Sequence, residues 1–311
     1  MSLRDRVIRL NGARWKTFRT AAAIIEPLGH VTHGFGAVDG WHLLRALGRR
    51  PMIFTVALPG PALQASMYDK VTVFAAESEC LADDLSRAGV APERIRVIYP
   101  GVNLNEYRPL SRTKRDRFRL LFASAPSDAG EFDARGIPVL VELARLCPEI
   151  DVTLLWRWGH QDAAQRAFAN LQPPPNIRID TRVVQDMTAA YHDADAIACL
   201  YAPGFGKSCP NSVIEAMACG VPALVSATCG IGQLISRNGA GLATSRDPAD
   251  VADAARTLVR EHSRFAAGAR RVAERHFDVR QFIESYTELY EGTAAAVPHD
   301  VPVRTPAGAS R

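Results

Sequence analysis

The segment Tyr201–Pro222, YAPGFGKSCPNSVIEAMACGVP, contains the residues of this 311-residue chain whose types and spacing best suit the binding of a ligand. It follows a short apolar run, DAIACL, that predicts a buried strand. Gly204 and Gly206 permit a close approach between the backbone and a ligand. Pro210 cannot lie inside a helix but suits its start. The segment therefore predicts a strand, a glycine-containing loop and a helix, which is a common frame for a phosphate site.

A helix that begins near Asn211 would point unpaired backbone N–H groups, and the positive end of its dipole, at a diphosphate. Ser212 and Glu215 have the S-x-x-E spacing of a capping box, which predicts that their side chains close the helix start. A carboxylate one turn into the helix can instead accept both hydroxyl groups of a ribose. From the residues alone, a purely structural Glu215 and a ligand-binding Glu215 both remain open.

Short apolar runs alternate with segments of helical period along the chain, which predicts an α/β protein with parallel sheets covered on both faces. The expected strands are His30–His33, Met52–Ala57, Val71–Ala75, Ile95–Tyr99, Phe118–Ser124, Val152–Arg157, Asn176–Asp180, Ala196–Leu200 and Ala223–Ser226. The expected helices lie near residues 41–47, 77–88, 138–146, 161–171, 187–193, 212–219, 248–262 and 279–291. Ligands bind at the carboxyl ends of parallel strands, where the loop before Asn211 is expected to lie.

Two domains are expected, because a chain of this length forms two cores more readily than one. Pro109 and the polar, basic run after it predict a linker, so the domains are assigned to residues 1–110 and 111–277. The first offers about four strands, and the second has the full complement of a doubly wound domain. A helix over residues 278–292 is expected to pack back towards the first domain, and residues 293–311 are expected to be disordered.

Composition restricts the class of protein further. Hydrophobic residues make up 47% of the chain and charged residues 23%, which is typical of a globular protein in solution. A net charge of +4 suits anionic substrates but is too small to indicate a nucleic-acid partner. No apolar run of membrane-spanning length and no secretion signal is evident, so we expect a cytoplasmic protein.

The first 19 residues are basic and include Trp15 and Phe18, a pattern that would allow peripheral contact with the inner face of a membrane. The alternative, which we favour, is that these charges only keep a surface helix soluble.

Four blocks of the sequence resemble family-4 retaining glycosyltransferases of the GT-B fold (glycosyl transferases group 1). CPNSVIEAMACGVPALVS resembles their donor-binding signature, and PERIRVIYPGVNLNEYRP resembles the end of their N-terminal domain and the linker. FRLLFASAPSDAGEFDARGIPVLVELA resembles the first strand, loop and helix of the donor domain, and VVQDMTAAYHDADAIACL the elements before the signature. The resemblance covers about residues 30–290 and implies two Rossmann-like domains that face a cleft, the N-terminal one abbreviated.

The resemblance also implies roles for individual residues. In the family, two acidic residues eight positions apart bracket the donor: the second matches Glu215, which would hold the ribose, and the first falls on Lys207. An Arg that commonly follows the first strand is missing here, whereas Arg135 matches a Lys farther along that loop. We therefore expect Arg135, Lys207 and the helix start to stabilise the departing diphosphate. A surface Arg and a solvated loop Lys are the alternatives.

His33 matches a family His that faces the donor sugar, where it could hydrogen-bond the sugar or steady positive charge at the anomeric carbon. A structural His is the alternative, and a second family-like polar position near Ala57 is apolar here. Val183–Val184 falls where the family's loop frames the nucleotide base. The expected catalytic residues are thus His33 and Lys207, and the expected donor-binding residues are Arg135, Val184, Gly206, Lys207, Pro210, Asn211, Ser212, Val213 and Glu215.

The resemblance implies transfer of a sugar from a nucleoside-diphosphate sugar to an acceptor hydroxyl, with retention of configuration. No metal and no cofactor are expected, since cationic side chains and a helix start would neutralise the diphosphate. The acceptor could be a glycan, a lipid-linked sugar or a small molecule. Two alternatives stay open: a protein that keeps the fold and binds the donor without turnover, and a sugar-nucleotide epimerase or phosphorylase.

Overall fold

A computed structural model describes residues 15–37, 47–60, 68–110, 116–156, 161–182 and 184–295. The basic opening before Trp15, most of the helix expected near residues 41–47, Val183 and the tail after Ala295 lie outside these residues. Within them, no helix is both long enough and apolar enough to span a membrane.

The first half of the chain forms a parallel sheet of four strands in the order β1-β2-β3-β4. Its elements are α1 (Trp15–Ile25), β1 (Thr32–Ala37), β2 (Met52–Leu58), β3 (Val73–Ala76), α2 (Glu79–Arg87) and β4 (Ile95–Val97). The central strands β2 and β3 are almost entirely apolar and buried, and the rings of Phe54 and Phe74 meet edge to face between them. Helix α2 begins at a cap in which the Ser78 hydroxyl accepts a hydrogen bond from the Leu81 N–H.

The second half forms a parallel sheet of six strands in the order β10-β9-β8-β5-β6-β7. Its strands are β5 (Phe118–Phe122), β6 (Ile150–Leu155), β7 (Ile177–Asp180), β8 (Ala196–Cys199), β9 (Ala223–Ser226) and β10 (Gly241–Thr244). Its helices are α3 (Phe132–Arg135), α4 (Ile137–Leu146), α5 (Gln161–Ala169), α6 (Met187–His192), α7 (Asn211–Ala218), α8 (Gly232–Arg237), α9 (Pro248–Arg260) and α10 (His262–His276). The expected α/β architecture with doubly wound parallel strands is confirmed.

Helices cover both faces of the six-stranded sheet, and the side chains of β5 show this division. Leu121 belongs to an apolar cluster with α7, whereas Leu120 and Phe122 belong to a second cluster with α4 and α9. Strand side chains alternate between the two faces of a sheet, so each cluster is the core of one layer.

The order of strands reverses between β5 and β8, which are neighbours in the sheet although β6 and β7 lie between them in the chain. Crevices for ligands form outside the carboxyl ends of strands at such a switch point. The loops after β5 and β8 therefore border the place where this sheet can receive a ligand.

The last helix, α11 (Val279–Ala295), follows the second half in the chain but contacts the first. At the start of this helix, the Val102 N–H donates a hydrogen bond to the Phe277 carbonyl, and the Val102 carbonyl accepts one from the Val279 N–H. Farther along the helix, the Tyr286 hydroxyl lies 2.6 Å from Thr55 Oγ1 in β2. This contact requires glycine at position 101, because a Cβ there would lie 2.8 Å from Phe282 Cβ.

The bounds expected for one strand were wrong, and one strand was not expected. Strand β1 begins at Thr32 and runs to Ala37, rather than ending at His33. The glycines of this strand lower its intrinsic β propensity. Gly34 is nevertheless needed in the pairing with β2, because a Cβ on it would lie 2.6 Å from the Phe54 ring. Strand β10 was not expected, because it is short and begins at Gly241, whose φ of +153° brings the backbone against Ala223 of β9.

Candidate functional site

Helix α7 begins at Asn211, at the carboxyl end of the six-stranded sheet, as the sequence predicts. Pro210 precedes it with extended backbone angles, and the Pro210 carbonyl accepts hydrogen bonds from Val213 and Ile214. Within the described parts of the chain, the backbone N–H groups of Asn211 and Ser212 have no hydrogen-bond acceptor. Two donors at the positive end of this helix are thus available for an anion.

The capping box expected from Ser212 and Glu215 does not form. The helix begins one residue too early for it, so Ser212 lies inside the first turn and Pro210 is the capping position, which has no side-chain oxygen. Glu215 Oε2 instead accepts a hydrogen bond of 2.6 Å from the hydroxyl of Tyr191, a fully buried residue of α6. Glu215 is half-buried and is not a cap, which removes one of the structural roles that the sequence left open.

Lys207 lies between the helix start and the first half of the chain. Its Nζ is 3.1 Å from Oε2 of Glu77, which directly follows β3, and it donates a hydrogen bond of 3.2 Å to Oδ1 of Asn211. The ammonium also lies 5.9 Å from the ring centroid of Phe35, near the end of β1. Its side chain is 32% exposed, whereas that of Glu77 is 6% exposed. The predicted diphosphate-binding cation is therefore already paired with a buried carboxylate from the opposite half.

Ser208 strengthens this contact between the halves. Its backbone N–H donates a hydrogen bond of 3.1 Å to the Ala57 carbonyl in β2, and its hydroxyl lies 2.6 Å from that of Ser78. A Cβ on Gly230 would lie 1.6 Å from Ser208 Oγ, so only glycine fits there. We call Lys207 and Ser208 the bridge, because they contact the carboxyl ends of β2 and β3 and lead directly into α7.

A second cationic residue, Arg135, lies at the switch point. Its Nε donates a hydrogen bond of 2.7 Å to Glu131 Oε2, and its Nη1 donates to Ser124 Oγ, just beyond β5. The Tyr201 hydroxyl, beyond β8, donates to the same Ser124 oxygen at 2.7 Å. The guanidinium is 5.3 Å from the ring centroid of Phe205, two residues before Lys207. Arg135 is thus held against the loop that carries the bridge.

Two further predicted residues shape this loop and its surroundings. Gly206 has a φ of +74°, and a Cβ there would lie 2.6 Å from the Tyr201 ring, so the loop requires glycine at this point. Val184 is half-buried between β7 and α6 and packs against the same apolar cluster as the buried Val213 of α7. A groove of about 400 Å³ opens beside Val184, lined in part by Leu121 and Ala190.

The structure places His33 differently from the expectation. His33 is the second residue of β1 rather than its last, so it lies towards the end of the strand opposite the carboxyl edge. Both ring nitrogens have partners: Nδ1 is 2.6 Å from the Tyr290 hydroxyl of α11, and Nε2 is 2.7 Å from Thr55 Oγ1. Desolvation by these neighbours lowers the pKa of the imidazole below its usual 6.5. A role of His33 at the donor sugar stays a prediction.

Three residues of the site were not identified from the sequence: Glu77, Tyr191 and Phe205. Glu77 offered a signal, because a charged residue directly after an apolar strand lies at the carboxyl edge of a parallel sheet. Tyr191 and Phe205 offered none, since their contacts join segments far apart in the chain. Among the described residues, no group of three or more His, Cys, Asp or Glu side chains could hold a metal ion.

Comparison with known families agrees with this geometry. A family model described as "Glycosyl transferases group 1" matches residues 129–261. The chain is 28% identical to a D-inositol 3-phosphate glycosyltransferase of Geodermatophilus obscurus, over 89% of this chain and 64% of that protein. It is also 28% identical to the protein of that name from Streptomyces bingchenggensis, over 79% of this chain and 61% of that protein. The chain thus spans somewhat less than two thirds of the length of these relatives.

Solved structures share the fold at low sequence identity. A glycosyltransferase from Rickettsia africae covers 94% of this chain and 85% of its own, with 16% identity and a TM-score of 0.74. Sucrose-phosphate synthase of Thermosynechococcus elongatus covers 94% of this chain and 82% of its own, with 17% identity and a TM-score of 0.75. HepE of Anabaena, in complex with UDP and glucose, covers 91% of this chain and 84% of its own, with 17% identity and a TM-score of 0.70. The GT-B-like fold expected from the sequence is confirmed.

Proposed function

We propose that this chain, which carries a glycosyl transferases group 1 domain in a GT-B-like fold, transfers a sugar from a nucleoside-diphosphate sugar to an acceptor hydroxyl. The observation that carries this proposal is the start of α7. The backbone N–H groups of Asn211 and Ser212, which have no acceptor among the described residues, lie at the carboxyl edge of the sheet, and the half-buried Glu215 carboxylate lies one turn further along. This arrangement suits a diphosphate with an adjoining ribose. HepE, which shares the fold, binds UDP.

In the proposed reaction, the bond between the anomeric carbon and the diphosphate oxygen breaks, and the electron pair remains on the diphosphate. Positive charge develops on the sugar, and an acceptor hydroxyl attacks from the face that the leaving group occupied, which gives retention. The hydroxyl proton passes to the departing diphosphate. Lys207, Arg135 and the start of α7 would stabilise the negative charge on the leaving group without a metal ion.

The other predicted site residues have supporting roles in this proposal. Glu215, whose Oε2 accepts a hydrogen bond from Tyr191, would accept hydrogen bonds from the ribose. Val184 would lie beside the base, and Gly206 would let the loop approach the donor. The extended Pro210, with Asn211, Ser212 and Val213, would present the helix start to the diphosphate. No step is assigned to His33, because both of its ring nitrogens already have partners.

A panel of nucleotide sugars would test the donor: UDP-glucose, UDP-N-acetylglucosamine, GDP-mannose and ADP-glucose, with the matching diphosphates. Purified protein should show a raised unfolding midpoint with at least one of them, because a ligand that binds only the folded state stabilises it. Glu215→Gln should reduce that shift, and Tyr191→Phe, which keeps the carboxylate, should reduce it less. A protein that responds to no member of the panel would contradict the proposal.

Product analysis would test the reaction itself. The acceptor is open, and D-inositol 3-phosphate belongs among the candidates because the relatives are named for it. Transfer should yield a glycoside and a nucleoside diphosphate, with the anomeric configuration of the donor. Release of a sugar phosphate in the presence of inorganic phosphate would indicate a phosphorylase, and an epimeric nucleotide sugar would indicate an epimerase.

A second candidate is a protein that binds the donor without turnover. The observation in its favour is that both cations expected at the diphosphate have partners within the protein, Lys207 with Glu77 and Arg135 with Glu131. Specific binding of a nucleotide sugar, without hydrolysis or transfer to any acceptor, would support it. A cytoplasmic location and a peripheral contact with the inner membrane face stay predictions.

A further inference from the structure

Glu77 is a buried carboxylate with a single counter-charge. The residue is 4% exposed, and its Oε2 atom is fully buried with no hydrogen bond within the described chain. Lys207 Nζ, 3.1 Å from Oε2 and 3.5 Å from Oε1, is the one cation within ion-pair distance among the described residues. A buried charge is strongly disfavoured without a partner, so the ionised form of Glu77 depends on Lys207.

The other groups around Glu77 cannot replace that cation. Among the described residues, the other titratable groups that face it from neighbouring elements are Cys209, at the entry to α7, and Tyr286 of α11, and neither can carry positive charge. The Tyr286 hydroxyl is engaged with Thr55 Oγ1 at 2.6 Å. Burial raises the pKa of Glu77 above its usual 4.5, and Lys207 offsets part of that rise. If Lys207 moved away, the pKa of Glu77 would rise further.

Lys207 itself is placed to serve a second anion. Its side chain is one-third exposed, and its ammonium donates to Asn211 Oδ1 at 3.2 Å, beside the two backbone N–H groups of the helix start. A diphosphate at that helix start would compete with Glu77 for the same ammonium. A diphosphate that draws the ammonium towards the helix start increases the distance from Nζ to the Glu77 carboxylate, and the attraction between these two charges falls as that distance grows.

We propose that Glu77 is an internal competitor of the donor diphosphate: the diphosphate draws Lys207 away from Glu77, and Glu77 takes up one proton from the solvent as the ammonium leaves. This inference rests on the proposed diphosphate site at α7. It makes donor affinity pH-dependent, since binding and proton uptake are linked. It also gives a charged residue of the first half control over affinity in the second.

The pair formed by Arg135 and Glu131 provides an internal control. Glu131 is partly exposed and also accepts a hydrogen bond of 3.0 Å from the Ser127 N–H, and these contacts hold its pKa below the usual 4.5. Glu131 therefore stays ionised near neutral pH even when its Arg turns to another anion. Loss of its charge should not change the number of protons taken up on binding.

The test is calorimetric titration with the nucleotide sugars named above, whose diphosphate groups do not titrate near neutral pH, in two buffers of different ionisation enthalpy. For the wild type, titrated in a series of buffers of rising pH, we expect uptake of up to about one proton per donor bound, and affinity that falls by up to about tenfold per unit rise in pH over the range in which uptake occurs. Glu77→Gln should abolish the uptake and bind more tightly than the wild type at the alkaline end. Lys207→Met should bind weakly with no uptake, and Glu131→Gln should keep the uptake.

Equal proton uptake by the wild type and Glu77→Gln, or weaker binding by Glu77→Gln at the alkaline end, would overturn the inference. Thermal unfolding of each variant confirms that it is folded, and Glu77→Asp, which keeps the charge, should retain uptake. If the protein transferred sugar but Glu77→Gln changed neither proton uptake nor donor affinity, this inference alone would fail. Proton-linked binding without transfer would defeat the proposed transferase activity alone. If neither the wild type nor Glu77→Gln bound any donor at any pH, both would fail.

Discussion

Both halves of this protein are built from parallel strands and helices, yet among the described strands only those of the second half contain a switch point. In the second half the strand order reverses between β5 and β8, and the loops beyond these strands meet through Ser124 and Tyr201. In the first half the described strands follow one another in chain order without reversal. A ligand crevice is expected at such a switch point, and the first half supplies Glu77, which pairs with Lys207 on the loop beyond β8.

The contacts between the halves fit this division of roles. Lys207 and Ser208, the bridge, reach from the second half to the carboxyl ends of β2 and β3 in the first. Helix α11 returns from the end of the second half to pack beside β2. One connection thus lies at the proposed site and the other away from it. Under the proposed function, the first half would act on the donor through the bridge and Glu77.

The largest expected effect tests the tight packing at the switch point. Gly136 has a φ of +77°, and a Cβ there would lie 2.4 Å from the Leu200 carbonyl oxygen. Gly136→Ala should lower the free energy of unfolding by about 3 kcal/mol, from backbone strain and overpacking together. Gly36→Ala in β1, where a Cβ would meet nothing within 4 Å, should cost less than about 0.5 kcal/mol. Urea denaturation would measure both, and equal losses would remove the contrast between the halves.

The next effect concerns donor affinity. Glu215→Gln should weaken binding of the preferred nucleoside diphosphate by about 2 kcal/mol, more than tenfold, because hydrogen bonds to a carboxylate are stronger than those to an amide. Tyr191→Phe removes the 2.6 Å hydrogen bond but leaves the carboxylate, so a loss of about 1 kcal/mol is expected. Calorimetric titration with the nucleoside diphosphate would measure both losses of affinity. Unchanged affinity in Glu215→Gln would mean that the ribose lies elsewhere.

A smaller effect tests the second connection between the halves. Tyr286→Phe removes a buried hydroxyl 2.6 Å from Thr55 Oγ1 and should cost about 1 kcal/mol of unfolding free energy. Tyr290→Phe, at the more exposed partner of His33, should cost about half as much. Neither should change nucleotide affinity, as α11 contacts the first half away from the start of α7. A change in affinity with either variant would show that α11 is coupled to the donor site.

The smallest effect is the pH dependence from His33. Its pKa in the folded protein is lowered, so the folded state binds fewer protons than the unfolded state around pH 6.5. The stability that neutral His33 contributes is therefore complete above that pH and is lost as the pH falls through it. The expected slope is below about 1.4 kcal/mol per pH unit, and His33→Gln should flatten it. An unchanged slope in that variant would assign the dependence to other groups.

Much of the frame of the site could be predicted from the sequence. The apolar runs that became β5, β8 and β9 and the proline at the start of α7 are local signals, so the strand–loop–helix around Asn211 was expected within one residue. The start of β1 was misplaced and β10 was not expected, because glycine-rich strands owe their existence to pairing with a neighbour. The Ser212–Glu215 spacing suggested a cap, but a shift of one residue in the helix start gave Glu215 a different partner in Tyr191.

What the sequence determined by itself is the set of groups that the second half offers for the proposed chemistry: a helix start, a carboxylate one turn further along, and cations on the loops nearby. These follow from short-range rules of helix capping and strand patterning. Only the tertiary structure decided which charges of the two halves pair with each other. Glu77 and Lys207 are 130 residues apart in the chain. They pair only when the carboxyl edges of the two sheets come together. The same contact buries Glu77, so that its charge depends on Lys207.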